Sequence, residues 1–186
     1  GRRAAEVCAA PFRRQAYQRK EGRGQEGAVH TNEEQGFAGM ITIQVVNAHG
    51  SRRMPRTLLR DAVRAVLEGE GVRSAVISIV GVNDGRCRRL NRTFLGHDYV
   101  TDVISFPLED VPRLEGEIYI NLDRARVQAG EYSVSTRHEL ARLAIHGTLH
   151  LTGFDDRTRA QAVRMHARED AVLARLRRRR AKRGIA

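Results

Sequence analysis

Ile41-Thr42-Ile43-Gln44-Val45-Val46, followed beyond Pro55 by Leu58, Leu59, Ala62, Val63, Val66 and Leu67, decides the fold class of this chain. The first block is β-branched and reads as a strand. The second places its apolar residues at helical spacing behind a helix-opening proline and stops at Gly69 and Gly71. The same exchange of periods continues downstream. Ala75 to Val82 reads as a second strand, and Asn83 or Asp84 caps a helix running to about Asn91. Val103 to Phe106 is a third strand, bounded by Pro107, and Gly116 to Asn121 a fourth, with Asp123 as cap of the next helix. A cap between Ser133 and Ser135 opens a long amphipathic helix through Leu140, Leu143, Ala144 and Leu151, ended by Gly153. A last helix covers about Arg157 to Arg180. Strands mixed with helices predict an α/β (α+β) layer in which helices cover a mixed sheet of about four strands.

The flanks differ from this middle. Gly1 to Gly39 is rich in Gly, Arg, Gln and Glu without apolar periodicity, and reads as a flexible N-terminal extension or as residues upstream of a later start at Met40. The domain proper spans 40–176, and 177–186 is a basic tail, Arg177-Arg178-Arg179-Arg180-Ala181-Lys182-Arg183 at its heart. The net charge is +11; Arg157 to Ala186 alone carries +9, whereas Val100 to Asp156 carries −5. Such a tail favours a polyanion such as nucleic acid. The competing reading is a solvated helix end, where cations suit the negative pole of the helix dipole.

With 186 residues the chain is long enough for one core. It holds no run of some 18 apolar residues that would span a bilayer, and its first residues lack the apolar stretch of a signal peptide. Cys8 and Cys87 lie in unrelated segments, which argues against a disulfide framework and against a thiolate metal cage. A soluble, cytoplasmic protein is expected.

The chemistry concentrates in His146-Gly147-Thr148-Leu149-His150-Leu151-Thr152-Gly153-Phe154-Asp155-Asp156. Four residues on a helix stack two side chains one turn apart, so both imidazoles reach one ion. Catalytic zinc takes three protein ligands and leaves a position for water, so a third donor has to come from beyond the helix. Gly153 permits a turn with positive φ that brings Asp155 or Asp156 back to the histidines, and spacing leaves that choice open. The metalloprotease helix motif has a glutamate after its first histidine as general base; here that place holds Gly147. Glu139 lies two turns before His146 on the same face, where a surface pair with Arg142 is the expected role.

His146 to Asp156 resembles the signature of the YbeY family, H-G-x-L-H-L-x-G-[YF]-D-H. Leu90 to Phe94, then Asp98 to Pro107, is similar to the family segment N-x-x-[YF]-R-x-x-D-x-x-T-D-V-L-S-F, and Gly116-Glu117-Ile118 matches its G-[DE]-I strand. The resemblance spans about Met40 to Leu176 and implies a metal-dependent single-strand endoribonuclease acting in 16S rRNA 3′-end processing, ribosome maturation and quality control. Its partners would be single-stranded RNA, rRNA and the small ribosomal subunit. It implies one zinc per chain on His146, His150 and Asp156, with a zinc-bound water as the reactive group and another divalent metal possible. Two residues depart from the pattern: Asp156 stands where the family has its third histidine, and Leu95 where it has an arginine. Two nitrogens and one oxygen still suit zinc, and a carboxylate favours harder metals such as manganese. Arg92 is the expected substitute for the lost arginine, with His97 as the other candidate. Thr101, Asp102 and Ser105 are expected to line the cleft or orient a histidine; the competing reading is that Thr101 and Asp102 cap a turn. Two other functions fit less well: a ribosome-associated RNA-binding factor with a structural metal, and a zinc hydrolase of another substrate.

Overall fold

The computed structural model of the chain describes residues 39–109, 113–182 and 184. Apart from Gly39, the N-terminal extension expected above lies outside the described residues. Strand β1 (Ile41–Asn47) leads through α1 (Arg56–Gly69) to β2 (Ala75–Val82), and α2 (Asp84–Leu90) passes into a π-helical turn at Asn91–Leu95. Then come β3 (Val103–Glu109), β4 (Leu114–Asn121), α3 (Leu122–Glu131), α4 (Thr136–Leu151) and α5 (Arg159–Lys182). The sheet order is β1-β2-β4-β3, with β1, β2 and β4 parallel and β3 antiparallel to β4. The mixed four-stranded sheet covered by helices is the architecture anticipated from the alternating periods.

Successive side chains of a strand point to opposite faces, and both faces here are apolar. Ile77, Ile79, Ile118 and Ile120 face α1, α4 and α5, packing among Leu59, Val63, Ile145, Leu149 and Met165. Val80, Val82, Ile104, Phe106 and Tyr119 form the other face, covered by Cys87 and Leu90 of α2. Fully burying each such side chain contributes about 1.5–3 kcal/mol. Helix α4 runs through the middle of the larger core, with ten of its sixteen residues buried. Gly147 brings it against the sheet. A Cβ there would sit 2.7 Å from Ile118 Cγ2 and 2.8 Å from Ser105 Oγ, so the position admits no side chain.

Several local expectations are corrected. Pro107 does not end the third strand: β3 continues to Glu109 because it is an edge strand, where a missing N–H breaks no essential ladder bond, and the register shifts between Pro107 and Glu109. The fourth strand begins at Leu114, two residues before Gly116. The cap of α3 is Asn121, which accepts from the N–H groups of Asp123 and Arg124. Asp123 instead accepts hydrogen bonds from Arg52 Nε at 2.6 Å and from the Asp84 N–H at 3.2 Å, and pairs with His49 at 3.0 Å. The basic stretch is helical as far as Lys182, and part of it clamps α5 to α1: Arg175 and Arg179 pair with Glu68, and Arg180 with Asp61. No helix of the described residues is long and apolar enough to cross a membrane.

Candidate metal centre

Helix α4 delivers His146 and His150 one turn apart on one face, and its C-terminus returns the chain to them. Gly153 has φ +95°; its N–H bonds to His150 O, and the Phe154 N–H bonds to Leu149 O. This pair of bonds is a Schellman turn, which requires a residue able to take the left-handed region at Gly153. The turn also carries the Phe154 carbonyl over His150 Nδ1, at 3.1 Å. Two residues further on, the Asp156 carboxylate faces both rings. Its oxygens lie 3.7 Å from His146 Nε2 and 3.9 Å from His150 Nε2, and the two Nε2 atoms are 3.0 Å apart. Asp155 is turned elsewhere, accepting from the Asp156 N–H and pairing with Arg157. Of the two aspartates left open by spacing, Asp156 is the one beside the imidazoles.

The protonation pattern of the rings explains what this arrangement can hold. His146 Nδ1 lies 2.8 Å from Glu169 Oε1, and a carboxylate only accepts, so Nδ1 carries the proton. His150 Nδ1 likewise donates to the Phe154 carbonyl. In the neutral rings both Nε2 atoms are then lone pairs directed at one another, with a carboxylate beside them. Such a donor set requires a cation, either a shared proton or a metal. Tetrahedral bonds of 2.0–2.1 Å place donor atoms about 3.3 Å apart, close to the three separations here, and all three donors lie within 4.8 Å of one another. The residues present therefore fit a divalent metal such as zinc. Burial lowers the basicity of both histidines, but the hydrogen bond and charge of Glu169 outweigh it at His146, which stays above its ordinary pKa. Burial and then the proximity of His146 push His150 below.

Beside His146 a cleft of about 460 Å³ opens between α3, α4 and α5. Glu139, Gln128, Asp102, His166 and Glu169 line it. Glu139 corrects the expectation of a surface pair: it is 3% exposed, makes no ion pair among the described residues, and Arg142 pairs with Glu169 and Asp170 instead. Burial raises its carboxyl pKa, Arg142 pulls it back, and Asp102 and Glu169 raise it again.

The expected supporting residues are distributed. Asp102 lines the cleft and also caps the turn into β3, accepting from Val103 N, Thr101 Oγ1 and Gln128 Nε2. Thr101 Oγ1 donates to Asp102 Oδ1 at 3.2 Å and is not among the residues that line the cleft. Ser105 Oγ is buried without a hydrogen-bond partner among the described residues and faces Gly147 rather than the cleft. Arg92 stands on the π-helical turn, well exposed, 4.0 Å from Asp98. Reasoning from sequence missed Glu169, although a glutamate set between Met165 and Val172 in the apolar stripe of α5 was a legible signal of a buried partner.

The sequence profile of the family described as Endoribonuclease YbeY matches residues 43–177. A protein of Chlorobaculum tepidum named "Endoribonuclease YbeY" is 41% identical over 137 residues, covering 74% of this chain and 99% of its own. A protein of the same name from Salinibacter ruber is 35% identical over 140 residues, covering 70% and 89%. A protein of Thermotoga maritima with a solution structure superposes with a TM-score of 0.52 at 24% identity, over 76% of this chain and 95% of the other, which shows the shared fold.

Proposed function

Since the chain belongs to the YbeY endoribonuclease family, we propose that it hydrolyses internal phosphodiester bonds of single-stranded RNA at one divalent metal, zinc in the first instance, held by His146, His150 and Asp156. The observation that carries this reading is the convergence of two Nε2 lone pairs and the Asp156 carboxylate on one point. When bound, the ion supplies a Lewis acid and an acidified water. The chain's own groups do the rest. Glu169 and the Phe154 carbonyl hold the two Nδ1 protons and so keep both Nε2 atoms free. Arg92 is proposed to take a backbone phosphate in place of the arginine that Leu95 replaces. Among the described residues its exposed guanidinium is tied only by a 4.0 Å pair with Asp98.

Three protein ligands with side chains 20%, 31% and 41% exposed suit a catalytic rather than a structural metal, which is usually enclosed by four. The close packing at Gly147 leaves no room for a metalloprotease glutamate, which weighs against a peptide substrate. We place the work of this nuclease in the cytoplasm, on ribosomal RNA of the small subunit, in 16S 3′-end processing and ribosome quality control. The test offers purified protein single-stranded RNA, duplex RNA and a peptide, with and without a chelator. Chelator-sensitive cutting of the single strand alone is expected; tight RNA binding without cutting, or cutting that survives the chelator, overturns the reading.

A further inference from the structure

The cleft beside His146 is lined by two side chains, Glu139 and Gln128, with acceptor oxygens that receive no hydrogen bond among the described residues. Glu139 is 97% buried, and no hydrogen bond or ion pair reaches its carboxylate among the described residues. Gln128 donates its amide N–H to Asp102 Oδ2 at 2.8 Å, which fixes the orientation of the amide and leaves Oε1 buried without a donor. Unpaired buried acceptors are rare because each forfeits its bond to water. Gln128 Oε1 is such an atom, the Glu139 carboxylate lines the same cleft, and the walls include the apolar side chains of Val134 and Leu143. Arg142 also lines the cleft, and Arg177 donates to Nδ1 of the lining residue His138 at 3.1 Å, so cations stand beside the acceptors.

We propose, building on the ribonuclease reading above, that this cleft is a nucleobase subsite selecting guanine next to the scissile bond, with Glu139 and Gln128 reading the base edge. The chemistry follows from donor counts. A carboxylate offers acceptors only. Guanine presents adjacent donors, N1–H and the 2-amino group, so two of its N–H groups meet Glu139 and the remaining amino hydrogen meets Gln128 Oε1. Uracil has one N–H between two carbonyl oxygens, and those oxygens would face the carboxylate. Adenine and cytosine each set a ring acceptor beside their amino group. Single-stranded RNA exposes these edges, since its bases are unpaired. About 460 Å³ accommodates a base with its sugar, and the apolar walls suit a flat ring. A bound guanine would also stabilise the ionised form of a carboxyl that burial disfavours.

Guanosine, inosine and uridine 5′-monophosphates test the subsite by titration into the chelator-treated full chain, followed by NMR or calorimetry. Guanosine monophosphate is expected to bind tightest. Inosine monophosphate, which lacks the 2-amino group, falls roughly 10- to 100-fold behind, the effect of a hydrogen bond to a charged group. Glu139→Gln should abolish this ranking while circular dichroism and zinc stoichiometry stay at wild-type values. Equal affinity for guanosine and uridine monophosphates, a ranking that survives Glu139→Gln, or no binding of either at millimolar concentration overturns the proposal. Mapping of cut sites separates it from the function it rests on. Cuts in single-stranded RNA clustered beside guanine support both, cuts without base preference overturn the subsite and leave the nuclease standing, and no cuts at all overturn the nuclease.

Discussion

Replacing Glu169 tests how far the metal centre depends on a residue that does not belong to it. Glu169 is 2% exposed; Oε1 accepts the His146 Nδ1 proton at 2.8 Å, and Oε2 takes Arg142 at 3.3 Å. Glu169→Ala removes two charge-assisted hydrogen bonds, each of about 1.5–3 kcal/mol, and leaves His146 free to exchange tautomers and to turn. Loss of such a partner lowers metal affinity about 10- to 100-fold, equivalent to roughly 1.4–2.7 kcal/mol. Glu169→Gln keeps an acceptor for Nδ1–H but drops the charge and sets an amide N–H against Arg142, so its loss should fall near the lower end. Zinc affinity measured by chelator competition, alongside urea unfolding of the metal-free proteins, separates the site from the fold. A folded Glu169→Ala protein with wild-type zinc affinity would refute the role given to this carboxylate.

Three further outcomes are expected. Gly147→Ala pushes a Cβ within 2.7 Å of Ile118 and 2.8 Å of Ser105; overpacking of this kind costs about 1–3 kcal/mol, so thermal unfolding should drop by several degrees, and an unchanged Tm contradicts the close approach. Arg92→Ala should slow single-strand cleavage roughly 100-fold with zinc content and Tm intact, and an unchanged rate rejects Arg92 as the phosphate ligand. Glu139→Gln should stabilise the protein at neutral pH, because burial disfavours the ionised carboxyl. The folded carboxyl holds its proton more tightly than the unfolded one, so wild-type stability is lost as pH rises from the unfolded value through the folded one. The advantage of the variant should vanish near pH 4, where the carboxyl is protonated in both states; urea unfolding at the two pH values checks this, and a variant weaker than wild type at neutral pH sinks it.

The sheet was readable because β-branched runs and a helical stripe differ in period, and that difference survives burial. Pro107 misled because a proline stops a strand only where its N–H is needed, and edge position is a property of the whole sheet. Asp123 looked like a cap by type, but Asn121 stands at the turn itself, and the aspartate meets His49 and Arg52 from a loop more than seventy residues earlier. His146 and His150 were legible as a pair because helical spacing alone brings them together. The choice between Asp155 and Asp156 needed the actual path of the Schellman turn. Glu139 was misread for a similar reason: its local partner Arg142 is drawn away by Glu169 and Asp170 on α5, a helix whose docking no local pattern announces.

Metal analysis of the wild-type protein beside Asp156→Ala bears most directly on the whole account. One zinc or other divalent ion per wild-type chain is expected, with affinity at least about tenfold weaker in a folded Asp156→Ala protein, because two imidazoles alone leave the ion one protein donor short. A wild-type chain that takes up no divalent metal, or a variant that binds it equally well, would contradict the proposal that His146, His150 and Asp156 together form the metal site.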